Sequence, residues 1–129
     1  MGTETEEMNT RLLERFYALP REVHSMVQFG SGAWIVGSVA DPTKRFDLHG
    51  PPRDYDILVP FSDWTAFSLQ LPHLGKLIKL TRFGGVTLEI RGGESVDVWP
   101  VDVGRFFLNP PSSYAWHPKT MTLLKKANA

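Results

Sequence analysis

The chain has 129 residues, 42% of them hydrophobic and 22% charged, which is the size and composition of one ordinary globular domain. Its 14 basic and 14 acidic residues give a net charge of zero, which does not favour bulk attraction to nucleic acid or to an anionic membrane. The absence of cysteine excludes disulfides, cysteine–zinc sites and thiol nucleophiles, and no apolar run approaches the roughly 20 residues that cross a bilayer. We therefore expect one soluble, cytoplasmic domain over residues 1–129, without a membrane partner.

The N-terminal part of the chain predicts two helices and a buried strand. Residues 1–7 are polar, lack the basic start of a signal peptide, and are expected to be frayed. From Met8 to Phe29, apolar residues recur at helical spacings, at Leu12, Leu13, Phe16, Leu19, Val23 and Val27. Pro20 is expected to divide this stretch into two helices, because proline is poorly tolerated inside a helix. The apolar run 33–36 then predicts a buried strand that stops at Gly37-Ser38.

The middle of the chain predicts a loop, a second strand and a further helix. Residues 39–53 carry three prolines and alternating charges, which is typical of a loop. Asp54 to Val59 predicts a strand that enters the core and is stopped by Pro60. A helix is expected from Ser62-Asp63, which would cap its first turn, to about Leu71. Its predicted apolar face consists of Trp64, Phe67 and Leu71.

The second half of the chain predicts a run of strands joined by glycine turns. Three strand-like stretches, Leu77–Phe83, Val86–Arg91 and Ser95–Val101, are separated by paired glycines that are typical of hairpin turns. Residues 104–129 are expected to form a C-terminal extension, with a short helical piece near Phe106-Phe107 and a basic end. The element order indicates an α+β (mixed α/β) domain in which helices cover one mixed β-sheet.

Two carboxylates stand at an unusual place, the start of the second predicted strand. Asp54 and Asp56 are two residues apart and therefore share one face of the strand. Their like charges repel, and the repulsion grows as water is removed. A cation between the two carboxylates attracts both and so makes the net electrostatic interaction favourable. Oxygen ligands in this arrangement suit magnesium or manganese, which are bound through carboxylates together with substrate phosphates.

Further polar groups lie on neighbouring predicted elements. Asp97 stands in a predicted strand between two valines, where an unpaired charge would be costly without a partner or a metal ion. Asp102 is an alternative third carboxylate, and Asp97 is preferred because valines flank it. Gly37 directly follows a strand, where glycine permits close backbone approach. Backbone N–H groups there and the Ser38 hydroxyl can hold a phosphate.

These motifs resemble the nucleotidyltransferase superfamily with the DNA polymerase β type of fold. The motifs are IVGS (35–38), DYDILV (54–59) and SVDVWP (95–100), and the resemblance covers roughly residues 30–103. They are most similar to the head domain of CCA-adding tRNA nucleotidyltransferases and poly(A) polymerases. VGSVAD (36–41) is similar to the glycine-rich motif of these enzymes. FGGVTLEIRGGESVDV (83–98) resembles the stretch that leads to their third carboxylate. The resemblance implies a minimal nucleotidyltransferase fold.

The resemblance also implies roles for individual residues. Asp54 and Asp56 would bind two magnesium ions, with Asp97 sharing the catalytic metal and helping to take the proton of an acceptor hydroxyl. Gly37 and Ser38 would hold the β- and γ-phosphates of ATP or another nucleoside triphosphate. The implied activity is transfer of a nucleoside monophosphate to a hydroxyl acceptor. The acceptor, an RNA or DNA end, a protein or a small molecule, is left open.

One feature departs from the CCA-adding enzymes, and several candidate contact residues also have ordinary structural explanations. The gap between Ser38 and Asp54 is longer here and contains Pro42. Arg53 could contact phosphate or simply pair with Asp54, and Lys44 and Arg45 could reach a triphosphate or form an ordinary charged loop. Residues 112–126 could touch nucleic acid or a protein, or could be a tail that packs on the sheet. The four histidines have no metal-like spacing.

The sequence therefore leaves two functions. The first is a metal-dependent nucleotidyltransferase. The alternative is a catalytically degraded module of the same fold that binds a nucleotide or a partner protein, for example as the antitoxin-like component of a two-component system with a helical protein partner.

Overall fold

A computed structural model describes residues 3–46, 50, 52–102, 105 and 114–125 of the chain. Its helices are α1 (Thr3–Ala18), α2 (Arg21–Gln28), α3 (Phe61–Ser68) and the single turn α4 (Leu71–Leu74). Its strands are β1 (Trp34–Val36), β2 (Asp54–Pro60), β3 (Lys76–Leu80), β4 (Val86–Glu89), β5 (Ser95–Val101), β6 (Tyr114–His117) and β7 (Thr122–Lys125). The predicted mixed α+β class is confirmed. In the described part of the chain, no helix is long and apolar enough to span a membrane.

The strands form one mixed sheet in the order β3-β4-β5-β2-β1-β6-β7. Strands β2 and β5 run parallel, and the other neighbouring pairs are antiparallel. The predicted hairpins around Gly84-Gly85 and Gly92-Gly93 are confirmed, since β3 pairs with β4 and β4 with β5. A parallel pair requires a long crossover connection, and here α3, α4, β3 and β4 lie between its two strands. This crossover brings the two aspartate-bearing strands side by side at the centre of the sheet.

The two faces of the sheet are unequal. The helices pack on one face, where the main core contains the alternate strand residues Ile35, Tyr55, Ile57, Val59, Val96 and Val98 together with Val23, Val27 and Phe67 from α2 and α3. The opposite face carries a small apolar cluster of Trp34, Val36, Leu58 and Ala115. The predicted alternation in β5 is confirmed, because Val96 and Val98 are fully buried while Asp97 points to the other side.

The two N-terminal helices agree with the predicted apolar pattern, but the first of them begins earlier in the sequence than predicted. Helix α1 ends at Ala18 and α2 begins at Arg21, so Pro20 separates them as predicted. Helix α1 begins at Thr3 rather than at Met8. The acidic residues of this first turn favour a helix N-terminus through the helix dipole. Whether this turn frays stays a prediction.

The predicted cap of helix α3 is wrong. The helix begins at Phe61 after Pro60, ends at Ser68, and has no side-chain cap hydrogen bond. The Asp63 carboxylate instead accepts hydrogen bonds from the backbone N–H of Ser31 at 3.2 Å and from the Ser31 hydroxyl at 2.5 Å. The side chain is thus committed to a tertiary contact with the turn before β1.

The C-terminal extension contains two strands that the sequence did not predict. Strand β6 pairs with β1, and β7 pairs with β6, so both extend the sheet beyond β1. Trp116 on β6 is fully buried in the main core beneath the helices. This agrees with the simpler interpretation of residues 112–126 as a segment that packs on the sheet. The predicted helical piece at Phe106-Phe107 lies outside the described residues.

Candidate active site

The parallel pairing of β2 and β5 brings the predicted carboxylates onto one face of the sheet. Asp56 lies directly opposite Asp97, and Asp54 lies opposite Ser95. Residues paired across a sheet project to the same side, so Asp54, Asp56 and Asp97 all face away from the helices. Asp102 follows the end of β5. At about 3.3 Å per residue it lies about 16 Å further along the chain than Asp97, beyond reach of Asp56.

Two hydroxyl groups hold the outer carboxylates of this face. The Thr87 hydroxyl on β4 donates to Asp97 Oδ1 at 2.5 Å, and Thr87 is itself buried. The Ser95 hydroxyl donates to Asp54 Oδ1 at 2.7 Å. Hydrogen bonds to a carboxylate fix its orientation, so the side chains of the two outer aspartates are held in place.

Asp56 lies between these two aspartates and carries the electrostatic cost of the arrangement. Its pKa is raised above 3.8, first by burial and then by the negative charges of Asp97 and Asp54. Both causes disfavour the ionised carboxylate. The site thus accumulates negative charge at a partly buried point, which a cation would neutralise.

The turn after β1 lies against the same carboxylate. Val36 pairs with Asp56, so the chain leaves β1 beside it, and residues Gly37–Ala40 form a 3-10 turn. Gly37 has a φ of +80°, and a Cβ built there would lie 3.1 Å from Asp56 Oδ2. Glycine meets both the positive φ and the close approach. Ser38 is exposed beside it. The predicted phosphate-binding turn and the predicted metal-binding strand are therefore adjacent.

Among the described residues, no group of three or more histidine, aspartate or glutamate side chains is already arranged to hold a metal ion. Asp54 and Asp97 each direct one carboxylate oxygen to a hydroxyl on a neighbouring strand. The metal ligation predicted for Asp54, Asp56 and Asp97 stays a prediction, and so does phosphate binding by Gly37 and Ser38.

Several alternative site residues make other contacts. Arg53 donates from Nη2 to the carbonyl oxygen of Gly92 at 3.1 Å, at the turn between β4 and β5. Lys44 and Arg45 are exposed in the segment before β2. His117 is buried beside Trp34, with ring centroids 4.9 Å apart, and burial lowers its pKa. His49 lies outside the described residues.

Thr87 and Ser95 are site residues that sequence reasoning missed. A signal for Thr87 was present in the stretch Val86–Glu89, where it is the polar residue between two apolar ones. Thr87 and Asp97 are equally far in sequence from Gly92, which lies in the hairpin turn. Residues at equal distances from such a turn pair across the two strands, and the structure pairs Thr87 with Asp97. The pairing of Ser95 with Asp54 had no local signal, since it depends on the parallel crossover.

Comparison with protein-family models gives no match, and comparison with curated proteins gives none either. Solved structures do match. A Thermotoga maritima CCA-adding enzyme complexed with tRNA aligns with 94% of this chain at a TM-score of 0.57 and 22% identity. CCA-adding enzyme complexes with CTP and with ATP align with 92% and 91% of it, each at a TM-score of 0.56 and 21% identity.

These similarities concern one part of the matched proteins. The chain spans about a third of their length, 31–32% of each. At 21–22% identity the likeness shows the fold and leaves the activity to be tested. The fold is the one that the sequence motifs predicted: the chain folds like the matched third of these CCA-adding enzymes.

Proposed function

We propose that this protein is a metal-dependent nucleotidyltransferase that transfers a nucleoside monophosphate from a triphosphate to a hydroxyl acceptor. The observation that carries the proposal is the juxtaposition of Asp56 with Asp97 across β2 and β5, with Asp54 on the same face. No packing requirement explains three carboxylates on one face at the centre of a sheet. Catalysis with a divalent cation does, because it needs an oxygen-rich, negatively charged site.

The proposed donors are carboxylate oxygens, the ligand type that magnesium and manganese prefer. Asp54, Asp56 and Asp97 would hold the ions. A cation would offset the burial and the neighbouring negative charges that raise the pKa of Asp56. Binding would require Thr87 and Ser95 to share or release carboxylate oxygens that they now contact. Bound magnesium would supply charge stabilisation for the transferring phosphoryl group and would acidify the acceptor hydroxyl.

The chain's own residues would then bind and orient the reactants. The backbone at Gly37 and Ser38 would hold the β- and γ-phosphates, so that the α-phosphorus lies toward the carboxylates. Asp97 would accept the proton of the acceptor hydroxyl. The acceptor oxygen then bonds to the α-phosphorus while the bond to the pyrophosphate oxygen breaks, and pyrophosphate leaves.

The matched structures support a nucleotide substrate and bear on the acceptor. They are CCA-adding enzymes in complex with tRNA, CTP and ATP. By this likeness a nucleoside triphosphate is the donor and an RNA end is the first acceptor to test. DNA ends, proteins and small molecules remain further candidates.

A second candidate is a non-catalytic module of the same fold that binds a nucleotide or a partner protein, such as the helical partner of an antitoxin-like component. The carboxylate contacts favour it, because Asp54 and Asp97 already have hydrogen-bond partners within the sheet. In a degraded site such bonds would be permanent and would replace the cation.

Transfer of an α-labelled nucleoside monophosphate to an acceptor separates the two candidates. The protein is incubated with magnesium and each of four α-labelled triphosphates, together with total RNA, protein or small-molecule extracts. The proposal predicts label transfer that requires magnesium and is lost in Asp56→Asn and Asp97→Asn. Asp102→Asn, which changes a carboxylate beyond the site on the same chain segment, is the matched control and should remain active. No transfer in any extract would favour the binding module.

A further inference from the structure

Helix α1 is tied to the segment that follows the candidate phosphate turn. Arg15 donates from Nη1 to the carbonyl oxygens of Val39 at 2.9 Å and Asp41 at 2.6 Å, and from Nη2 to that of Lys44 at 2.5 Å. One guanidinium thus binds three backbone carbonyls of a segment about 25 residues away in sequence. The Arg15 guanidinium also lies over the ring of Phe46, 4.1 Å from the ring centroid.

A second arginine extends this contact. Arg11, one helical turn before Arg15, donates from Nη1 to the carbonyl oxygen of Pro42 at 2.7 Å. The two arginines therefore bind four carbonyls within residues 39–44. The segment has weak internal support, because its hydrogen bonds are those of short turns such as Lys44 N–H to the Asp41 carbonyl at 3.2 Å. Its start, the turn at residues 37–40, packs on β1, β2 and β6, and the two arginines add a tie from α1 to the residues that follow.

The clamped segment begins at the candidate site. Residues 37–40 form the 3-10 turn against Asp56, and Val39 and Ala40 are buried immediately before the carbonyls that the arginines bind. The Arg15 guanidinium binds the carbonyl of Val39, the residue directly after Ser38, so the clamp acts on the backbone next to the turn. A phosphate site made of backbone N–H groups requires those groups to be held in one orientation before the ligand arrives.

We propose that Arg11 and Arg15 are positioning residues for nucleotide binding: through the carbonyls of residues 39–44 they hold the Gly37-Ser38 turn in its binding orientation. This inference rests on the proposed function and adds α1 to the nucleotide site. Arginine suits this role because its planar fork spans carbonyls from Val39 to Lys44 while its flat face stacks on Phe46, and the compact ammonium of lysine does not reproduce that geometry.

The consequence is an effect on triphosphate affinity rather than on the chemical step. The arginines contact neither the carboxylates nor the acceptor position, so a change in them should raise KM and leave the rate at saturating triphosphate nearly unchanged. A merely structural role would lower the melting temperature and would leave the affinity of the folded protein as it is.

The test compares wild type, Arg15→Lys, Arg15→Met and the matched control Arg21→Lys, an exposed arginine on α2. Amide hydrogen exchange is measured over residues 39–46, and the affinities for magnesium–ATP and magnesium–CTP are measured by calorimetry.

In Arg15→Lys we expect faster exchange in that segment and a Kd about tenfold higher, equal to about 1.4 kcal/mol. The rate at saturating triphosphate should stay within about twofold, and Arg21→Lys should match wild type. If Arg15→Met does not fold, Arg15→Lys and Arg11→Lys carry the test.

Each other outcome overturns the inference in a distinguishable way. Unchanged exchange in Arg15→Lys would mean that the arginines do not hold the segment. Faster exchange with unchanged Kd would mean that the segment does not control nucleotide binding, and the proposed function would stand. Absence of triphosphate binding by wild-type protein would overturn the proposed function itself.

Discussion

The two faces of the central strands β2 and β5 obey different physical rules. On the helix side, Ile57, Val96 and Val98 are fully buried, and each is explained by the apolar surface that it removes from water. On the other side, Asp56 and Asp97 lie opposite each other at the same point along the same strands. Burial first, and then the charges of Asp97 and Asp54, raise the pKa of Asp56, so the ionised carboxylate costs stability at this position. Under the proposed function, a bound cation would offset this cost.

Residues that are neighbours in the sequence lie on opposite faces of β2. Asp56 and Ile57 are adjacent in β2, yet one lies in the site and the other in the core. Substitutions at these two positions should therefore separate function from stability. The expected effects are taken from the largest to the smallest.

Asp56→Asn should abolish function without harming the fold. The change keeps the volume and removes one of three like charges, so the apo protein should be as stable as wild type or slightly more stable. The same change removes a proposed metal ligand, so transfer activity should fall by about a thousandfold or more. Calorimetric melts with and without magnesium and triphosphate, together with the transfer assay, measure both. A lower apo melting temperature with equal magnesium protection in both proteins would make Asp56 a structural residue.

Ile57→Ala should show the opposite behaviour. Ile57 is fully buried among the core residues of β1, β5 and the helices, and its truncation leaves a cavity. Unfolding in denaturant should show a loss of about 2–5 kcal/mol. At a temperature where the variant is folded, its Kd for magnesium–triphosphate should stay close to that of wild type. A loss of affinity at least as large as that of Asp56→Asn would mean that the two faces are not independent.

Gly37→Ala should affect both stability and binding. A non-glycine residue at φ +80° costs about 1–2 kcal/mol, and the new Cβ would lie 3.1 Å from Asp56 Oδ2. Gly92→Ala is the matched control, because its φ is +85° and its Cβ would meet nothing within 4 Å. Both variants should lose similar stability, and Gly37→Ala should also lose protection by magnesium–triphosphate. Equal protection in the two would remove the turn from the site.

Thr87→Val should have a modest effect. The change is nearly isosteric and removes the donor to Asp97 Oδ1, leaving that carboxylate oxygen without its partner on β4. We expect a loss of about 1 kcal/mol in stability and about tenfold in transfer rate, since Asp97 is less well oriented. Comparison with Ser95→Ala, which removes the donor to Asp54, shows whether the two carboxylates matter equally. An unchanged rate in Thr87→Val would show that the hydrogen bond does not orient a catalytic group.

The smallest effect is a dependence of stability on pH. Because the folded-state pKa of Asp56 is raised above 3.8, the folded protein binds this proton more tightly than the unfolded chain does. The stabilisation is therefore present below pH 3.8 and is lost as the pH rises through the folded pKa. The melting temperature of Asp56→Asn relative to wild type should rise across this window by a few degrees. A difference that is the same at every pH would contradict the assigned cause of the shift.

Local patterns carried much of the fold prediction. The division at Pro20, the alternation around Asp97 and the glycine turns depend on neighbours in sequence, and the structure has all of them. The approach of Asp97 to Asp56 was predicted from a resemblance and not from spacing, because the parallel pairing joins strands about 40 residues apart.

The failures came where tertiary contacts compete with local signals. Asp63 had the position of a helix cap but bonds to Ser31 across the fold. Strands β6 and β7 lie in a stretch with mixed aromatic, basic and polar residues, whose period indicates neither helix nor strand. β6 pairs with β1 and buries Trp116, and β7 pairs only with β6, so both pairings are long-range contacts that no local pattern indicates.

A crystal structure with manganese and a non-hydrolysable triphosphate tests the central claim most directly, because manganese is located by its anomalous scattering. The account predicts manganese among the carboxylates of Asp54, Asp56 and Asp97, and the triphosphate on the backbone of Gly37 and Ser38. It also predicts that the carboxylates of Asp97 and Asp54 turn from Thr87 and Ser95 toward the metal. Manganese absent from this face, with Asp97 still bonded to Thr87 and Asp54 to Ser95, would contradict the claim.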